Sequence, residues 1–244
     1  MSRDTLSDVL RSVRMRSAVY FLVSAEGSWA AETPASREIA DAVMPGAEHV
    51  IEYHVVTAGE CWAVVDGEPP CRLRSGDIVL LPQGDAHVIT SDPRVRGAAD
   101  PHSFFELQRD LRPFRMRYAN ATLPTFPAED GGSPASTAWI PPTSLVCGFI
   151  AVDSRPFNPL LATLPRILHL PADRAGHWSG ELARLAAAES ADRRPGSEAV
   201  LERLSEMMFV DALRRHIEVL ADDAQGWLAG LRDRFVGRAL ALLH

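Results

Sequence analysis

The sequence predicts an α+β chain, in which an antiparallel β-barrel or double-sheet jelly roll over residues 1–170 is followed by a helical region over 171–232. Two observations carry this. Between residues 17 and 152 the apolar residues fall in short runs bounded by turn-forming Gly, Pro, Asn and Asp. Beyond Pro171 they recur at helical spacing instead.

Residues 5–14 read as a short helix, with Thr5 and Asp8 spaced as a variant capping box. A strand over 17–23 follows. Strand alternation then places Glu52 and His54 on one face, and Cys61, Ala63 and Val65 on one face of the next strand, which ends in the Asp66-Gly67 turn. Gly76-Asp77 and Pro82-Gln83-Gly84-Asp85 are turn chemistry enclosing the apolar run 78–81. His87 starts the next strand, two residues past the second turn, so its direction is set by that turn.

Residues 92–136 are rich in Gly and Pro with little periodicity, the signature of a long insertion, either a lid over the barrel mouth or a disordered loop. The arginines of 109–117 lie in it and read as a solvated loop. Residues 143–152 resume strand character and close the sheet, and 156–171 are apolar but broken by prolines. Helices are expected over 178–190, with Leu182 and Leu185 on one side, and over 197–220, with Ser197 as N-cap. A further helical stretch carries Trp227, Leu231 and Phe235.

The chain has 244 residues, enough for one large domain or two small ones, and an ordinary soluble composition of 46% hydrophobic and 23% charged residues. All 25 basic residues are arginine, and the net charge of -7 argues against a surface that grips nucleic acid. No window is long and apolar enough to span a bilayer, and no apolar signal core follows Met1. A reducing cytoplasm is the expected compartment, so Cys61, Cys71 and Cys147 read as buried thiols or metal ligands rather than disulfide partners.

The pattern Gly76-x5-Pro82-x-Gly84-x2-His87 resembles the second motif of the cupin superfamily, and Glu52 followed after six residues by Gly59 resembles the end of the first. The His-x-His pair of that first motif is missing, although His49 lies near its place. In their order, Leu6 to Leu10, Tyr53 to Val56 with Gly59 to Trp62, Leu73 to His87, Leu145 to Gly148, Pro165 to Leu170 and Phe209 to Arg214 resemble the N-terminal cupin domain of bacterial AraC/XylS-type transcription regulators. The resemblance runs nearly end to end. It implies a barrel that senses a small-molecule effector, helices that support a homodimer, and DNA contact through a C-terminal helix-turn-helix region. Residues 233–244 look like the first helix leading into that region, so the chain is expected to lack most of its DNA-binding half.

The resemblance also implies a recurring set of His54, Cys61, His87 and Cys147, which together could hold zinc in a closed tetrahedral site. Glu52 is expected as a salt-bridge partner at the barrel rim, with a cupin-type metal ligand as the alternative. Tyr53, Trp62, Trp139 and Phe149 are candidates to line an effector pocket or else core residues, and Leu201, Leu204, Met208, Leu213 and Ile217 are the expected dimer seam along the long helix or else a stripe packed on its own barrel, and both can hold in part. No catalytic residues are assigned. The competing reading is a stand-alone metal-dependent cupin enzyme, a dioxygenase or isomerase, built on His87 with His49, Glu52 and His54 nearby.

Overall fold

A computed structural model of the chain describes residues 6–7, 15–107, 113–126, 142–152, 161, 163–172, 178–191, 194–220, 230 and 236. The elements with described bounds are, in order, β1 (Met15–Glu26), β2 (Ala30–Thr33), α1 (Ser36–Val43), β3 (His49–Ala58), β4 (Glu60–Val65), β5 (Cys71–Arg74), β6 (Ile78–Leu81), β7 (His87–Thr90), α2 (Pro101–Glu106), β8 (Phe114–Ala119), β9 (Thr143–Val152), β10 (Leu168–Leu170), α3 (Ser179–Ala191) and α4 (Ser197–Val219). They form a six-stranded sheet in the order β10-β6-β3-β9-β1-β8 and a four-stranded sheet in the order β2-β7-β4-β5. Neither sheet closes on itself among the described residues. The barrel expectation is therefore met only as two sheets sharing an apolar interior, and one pairing, β1 with β8, is parallel.

Two-sided burial of the six-stranded sheet organises everything else. On its inner face Val50 and Val56 of β3 join Cys61, Ala63, Leu73 and Ile89 from the other sheet, with Leu145, Cys147 and Phe149 of β9. On its outer face Ile51, Tyr53 and Val55 join Val146, Ile150 and Val152, and these meet Leu201, Leu204, Met208, Phe209, Ala212 and Leu213 of α4. Burying each such side chain contributes roughly 1.5–3 kcal/mol. The helices consequently dock on the sheet as its second layer.

Leu201, Leu204, Met208 and Leu213 are thus buried within their own chain, and Ile217 packs half-buried beside them, so the stripe packs on its own sheet, the alternative to a dimer seam. The part of α4 turned to solvent carries Val200 and Met207 instead. Gly196, in the left-handed region at φ 89°, is the N-cap of α4 in place of Ser197, whose hydroxyl donates to Glu189. Leu182 is buried as expected whereas Leu185 is exposed.

The expected insertion at 92–136 is also corrected where it is described. It contributes α2 and the edge strand β8, so Arg115 and Arg117 stand on a strand rather than in a loop, and Tyr118 enters the core. Thr5, Asp8, Trp139, Trp227, Leu231 and Phe235 lie outside the described residues.

Candidate metal centre and adjoining cavity

The turn after β6 places the site. Leu81 to Gly84 close a β-turn with Pro82 at its second position, and the Gly84 amide donates to the Leu81 carbonyl over 3.0 Å. Gly84 is left-handed at φ 65°, and a Cβ on it would meet the Ser36 side chain. Its bare Cα lets the first turn of α1 approach, and the Ser36 amide donates to the Gly84 carbonyl over 2.9 Å. That contact delivers the Ser36 hydroxyl to the interior, where it donates to Glu52 Oε1 over 2.8 Å. His49 spends its Nε2 on the Pro82 carbonyl, 2.6 Å away, and so serves the turn.

Glu52 and His54 point inward from β3, and His87 points at them from β7 in the opposite sheet. His54 Nε2 and His87 Nε2 lie 2.7 Å apart, and His87 Nε2 is 3.7 Å from Glu52 Oε2. The three residues are 1%, 6% and 3% exposed, taking Glu52, His54 and His87 in order. One ligand atom from each lies within 4.8 Å of the other two. The expected rim salt bridge for Glu52 is corrected, since the carboxylate is in the interior. The clue lay in the sequence: Glu52 shares a face with His54 by strand alternation.

The structure brings the expected pair His54 and His87 together. Cys61 and Cys147, buried on the same inner faces, do not join this 4.8 Å group among the described residues. Cys147 stands opposite His54 in the β3–β9 register.

Burial sets the protonation of each group. It raises the Glu52 carboxyl to about 8 against the Ser36 hydrogen bond, which lowers it. Burial lowers His87 to about 4, and burial together with the neighbouring His87 lowers His54 well below the usual imidazole range. Burial pushes the Cys61 thiol up to about 12 and Cys147 well above its ordinary value. A cation would take the two imidazoles neutral, as burial leaves them, and would reverse only the reluctance of the Glu52 carboxyl to ionise.

The donors fit a metal ion on a further ground. His87 Nδ1 faces the Asp85 carbonyl at 3.0 Å and therefore carries its proton, leaving the Nε2 lone pair toward His54. Asp85 is itself clamped by Arg166, whose Nη2 and Nε donate to its two oxygens over 2.9 and 3.1 Å. This is the outer support that a metal-binding histidine ordinarily has. His54 lacks it, as its buried Nδ1 has no hydrogen-bond partner.

Beside His54 lies a cavity of about 60 Å³. Phe21, Val23, Trp29, Ile89, Tyr118, Leu145 and Cys147 form its buried walls, and Phe104 and Met116 stand half-buried at its mouth with Ala31 to Thr33. Of the expected pocket residues, Tyr53 is on the opposite face of β3, against α4, and Trp62 is on the outer face of the four-stranded sheet under Arg72. Neither lines this cavity. Phe149 is buried between the sheets without lining this cavity. The actual walls were missed because Phe104, Met116 and Tyr118 come from the segment read as an insertion.

A cupin family model matches residues 4–218. A Streptomyces lividans protein described as an AraC-like transcription regulator is 30% identical over 99% of this chain and 68% of its own length. A protein of the same description from Streptomyces antibioticus is 28% identical over 99% of the chain and 69% of its own length. The HTH-type transcriptional regulator AlkR of Acinetobacter baylyi is 24% identical over 99% and 70%. The crystal structure of ToxT from Vibrio cholerae aligns with 91% of this chain and 62% of that one at 9% identity, but its TM-score of 0.34 is too low to establish a shared fold. These relatives are regulators of transcription rather than enzymes.

Proposed function

Since the chain belongs to the AraC-like transcription regulators and carries their cupin domain over most of its length, we propose that it senses a small-molecule effector in the cavity beside His54 and passes the signal through a homodimer to DNA. Near-complete coverage by regulators, 99% of the chain, is the observation that carries this. Zinc is the proposed metal, held by His54 and His87 with Glu52, because neutral imidazoles and a carboxylate suit it. Bound there, the cation would draw ligands from both sheets and tie them together, a structural and sensing role. It would also hold Glu52 ionised at neutral pH. Two imidazoles and one carboxylate are equally the donor set of non-haem iron oxygenases, the chemistry of the enzyme alternative; the relatives favour sensing.

Dimerisation is assigned to the solvent face of α4 around Val200 and Met207. DNA contact is assigned to sequence of the kind that makes up the remaining third of the relatives' length, in keeping with the chain's net charge of -7. A regulator of this kind works in the cytoplasm, and no described helix is long and apolar enough to cross a membrane.

The test is a fusion of residues 1–244 to a monomeric DNA-binding domain whose operator is occupied only by a dimer. Operator occupancy in cells, lost when Met207 is replaced by glutamate, is the expected result. A fusion that stays monomeric in zinc-replete cells would end this reading.

A further inference from the structure

Two hydrogen-bond donors on the cavity wall go unused. Trp29 and Tyr118 are 2% and 4% exposed, both line the cavity from the space between the sheets, and their rings stand 5.9 Å apart. Among the described residues neither the Trp29 indole N–H nor the Tyr118 hydroxyl has a hydrogen-bond partner. They differ from His54 Nδ1, which also lacks a partner but is closed to water; these two atoms keep access. Both residues are otherwise enclosed, so the cavity is the space that they reach. Burial raises the Tyr118 hydroxyl above its ordinary value with no hydrogen bond to offset it, and Cys147, another wall residue, adds to the rise.

Buried Trp N–H and Tyr O–H groups ordinarily find an acceptor, and here the protein supplies none. A cavity of about 60 Å³ has room for water to do so. A ligand that displaces this water without offering an acceptor would strand both donors. A carbonyl oxygen, with two lone pairs, can accept from both. Charge narrows the class. No arginine stands among the described residues lining the cavity and the sequence has no lysine, so no fixed cation is there to neutralise a buried anion. Resting on the reading of this cavity as the effector site, and not on the metal, we propose that the effector is an uncharged molecule that presents a carbonyl oxygen to the Tyr118 hydroxyl and the Trp29 N–H. Its apolar part lies against Phe21, Ile89, Phe104 and Leu145.

Three probes of one skeleton, 2-pentanone, 2-methyl-1-pentene and butanoate, set a neutral carbonyl against an alkene and a carboxylate. Their matched shapes make the cavity's size act on all three alike. Dissociation constants are read by ligand-observed NMR on the full chain and on Tyr118→Phe, which removes only the hydroxyl. The expected result is saturable binding of the ketone that Tyr118→Phe weakens by about tenfold, the loss of one hydrogen bond to a buried group. Alkene affinity should be the same in both proteins, which also shows that the variant keeps its fold. In the nitrogen-15-labelled chain the Trp29 indole N–H proton should move downfield with the ketone and not with the alkene. Unchanged ketone affinity in the variant, or an unmoved Trp29 signal, would overturn the proposal and leave the cavity as a site for a wholly apolar effector. Tighter binding of butanoate than of the ketone would overturn the uncharged class. Saturation by none of the three probes would bring down this proposal and the effector reading of the cavity together.

Discussion

The Tyr53 hydroxyl meets Ser205 Oγ at 2.7 Å, across the interface between β3 and α4. Ser205 donates its own proton to the Leu201 carbonyl over 2.8 Å, so Tyr53 is the donor of the pair. Tyr53 sits between Glu52 and His54 in sequence but faces the other way. Tyr53 thereby ties the strand that carries Glu52 and His54 to the long helix.

Gly148 makes room for that contact. It stands opposite Tyr53 in β9, and a Cβ there would collide with the Tyr53 hydroxyl and the Ala18 carbonyl. Gly148→Ala should lower unfolding free energy by about 1–3 kcal/mol, as overpacking of a filled core does. Urea denaturation reads this directly, and unchanged stability would show that the Tyr53–Ser205 contact yields easily.

The pH dependence of the chelated chain should isolate Glu52. Its folded pKa is raised from 4.5 to about 8, so the native state holds a proton that the unfolded state releases. Stability falls with rising pH across that window, by at most about 1.4 kcal/mol per pH unit for one proton. The histidines act oppositely but lower down, since His87 titrates near 4 when folded and 6.5 when unfolded. Between pH 6.5 and 8 only the Glu52 decline remains of these shifts. Glu52→Gln keeps an acceptor for Ser36 and should flatten it; a parallel decline in the variant would assign the slope to another group.

Metal affinity should distinguish carboxylate from thiols. Glu52→Gln is expected to weaken zinc binding by an order of magnitude or more, whereas Cys61→Ser and Cys147→Ser leave it within about threefold. Competition with a chromophoric chelator gives the ranking. A large loss in either cysteine variant would restore the thiolates to the ligand set.

Arg166 is a positioning residue for the same centre. It grips the Asp85 carboxylate, whose backbone carbonyl takes the His87 Nδ1 proton. Arg166→Gln should reduce zinc affinity by about tenfold, in line with other outer-shell losses. Arg166→Lys should restore little, because one ammonium cannot reproduce the two-pronged clamp. Equal affinities in all three proteins would leave Arg166 as a surface ion pair.

Turn chemistry and strand alternation are local, so the sequence alone determined the strands around Gly76 to His87, the common face of Glu52 and His54, and the change from sheet to helix beyond Pro171. Family motifs in order added the regulator class. Tertiary structure decided which buried face is which. β3 is buried on both sides, so no contrast of polar and apolar residues marks Tyr53 as facing α4 rather than the cavity. The stripe of α4 reads the same whether its partner is a second copy or its own sheet, and it is the sheet. His87 meets His54 because β7 belongs to the opposite sheet, and α2 and β8 wall the cavity because they return to the core. These are contacts between residues distant in sequence, set by the packing of whole layers, and no local pattern encodes them.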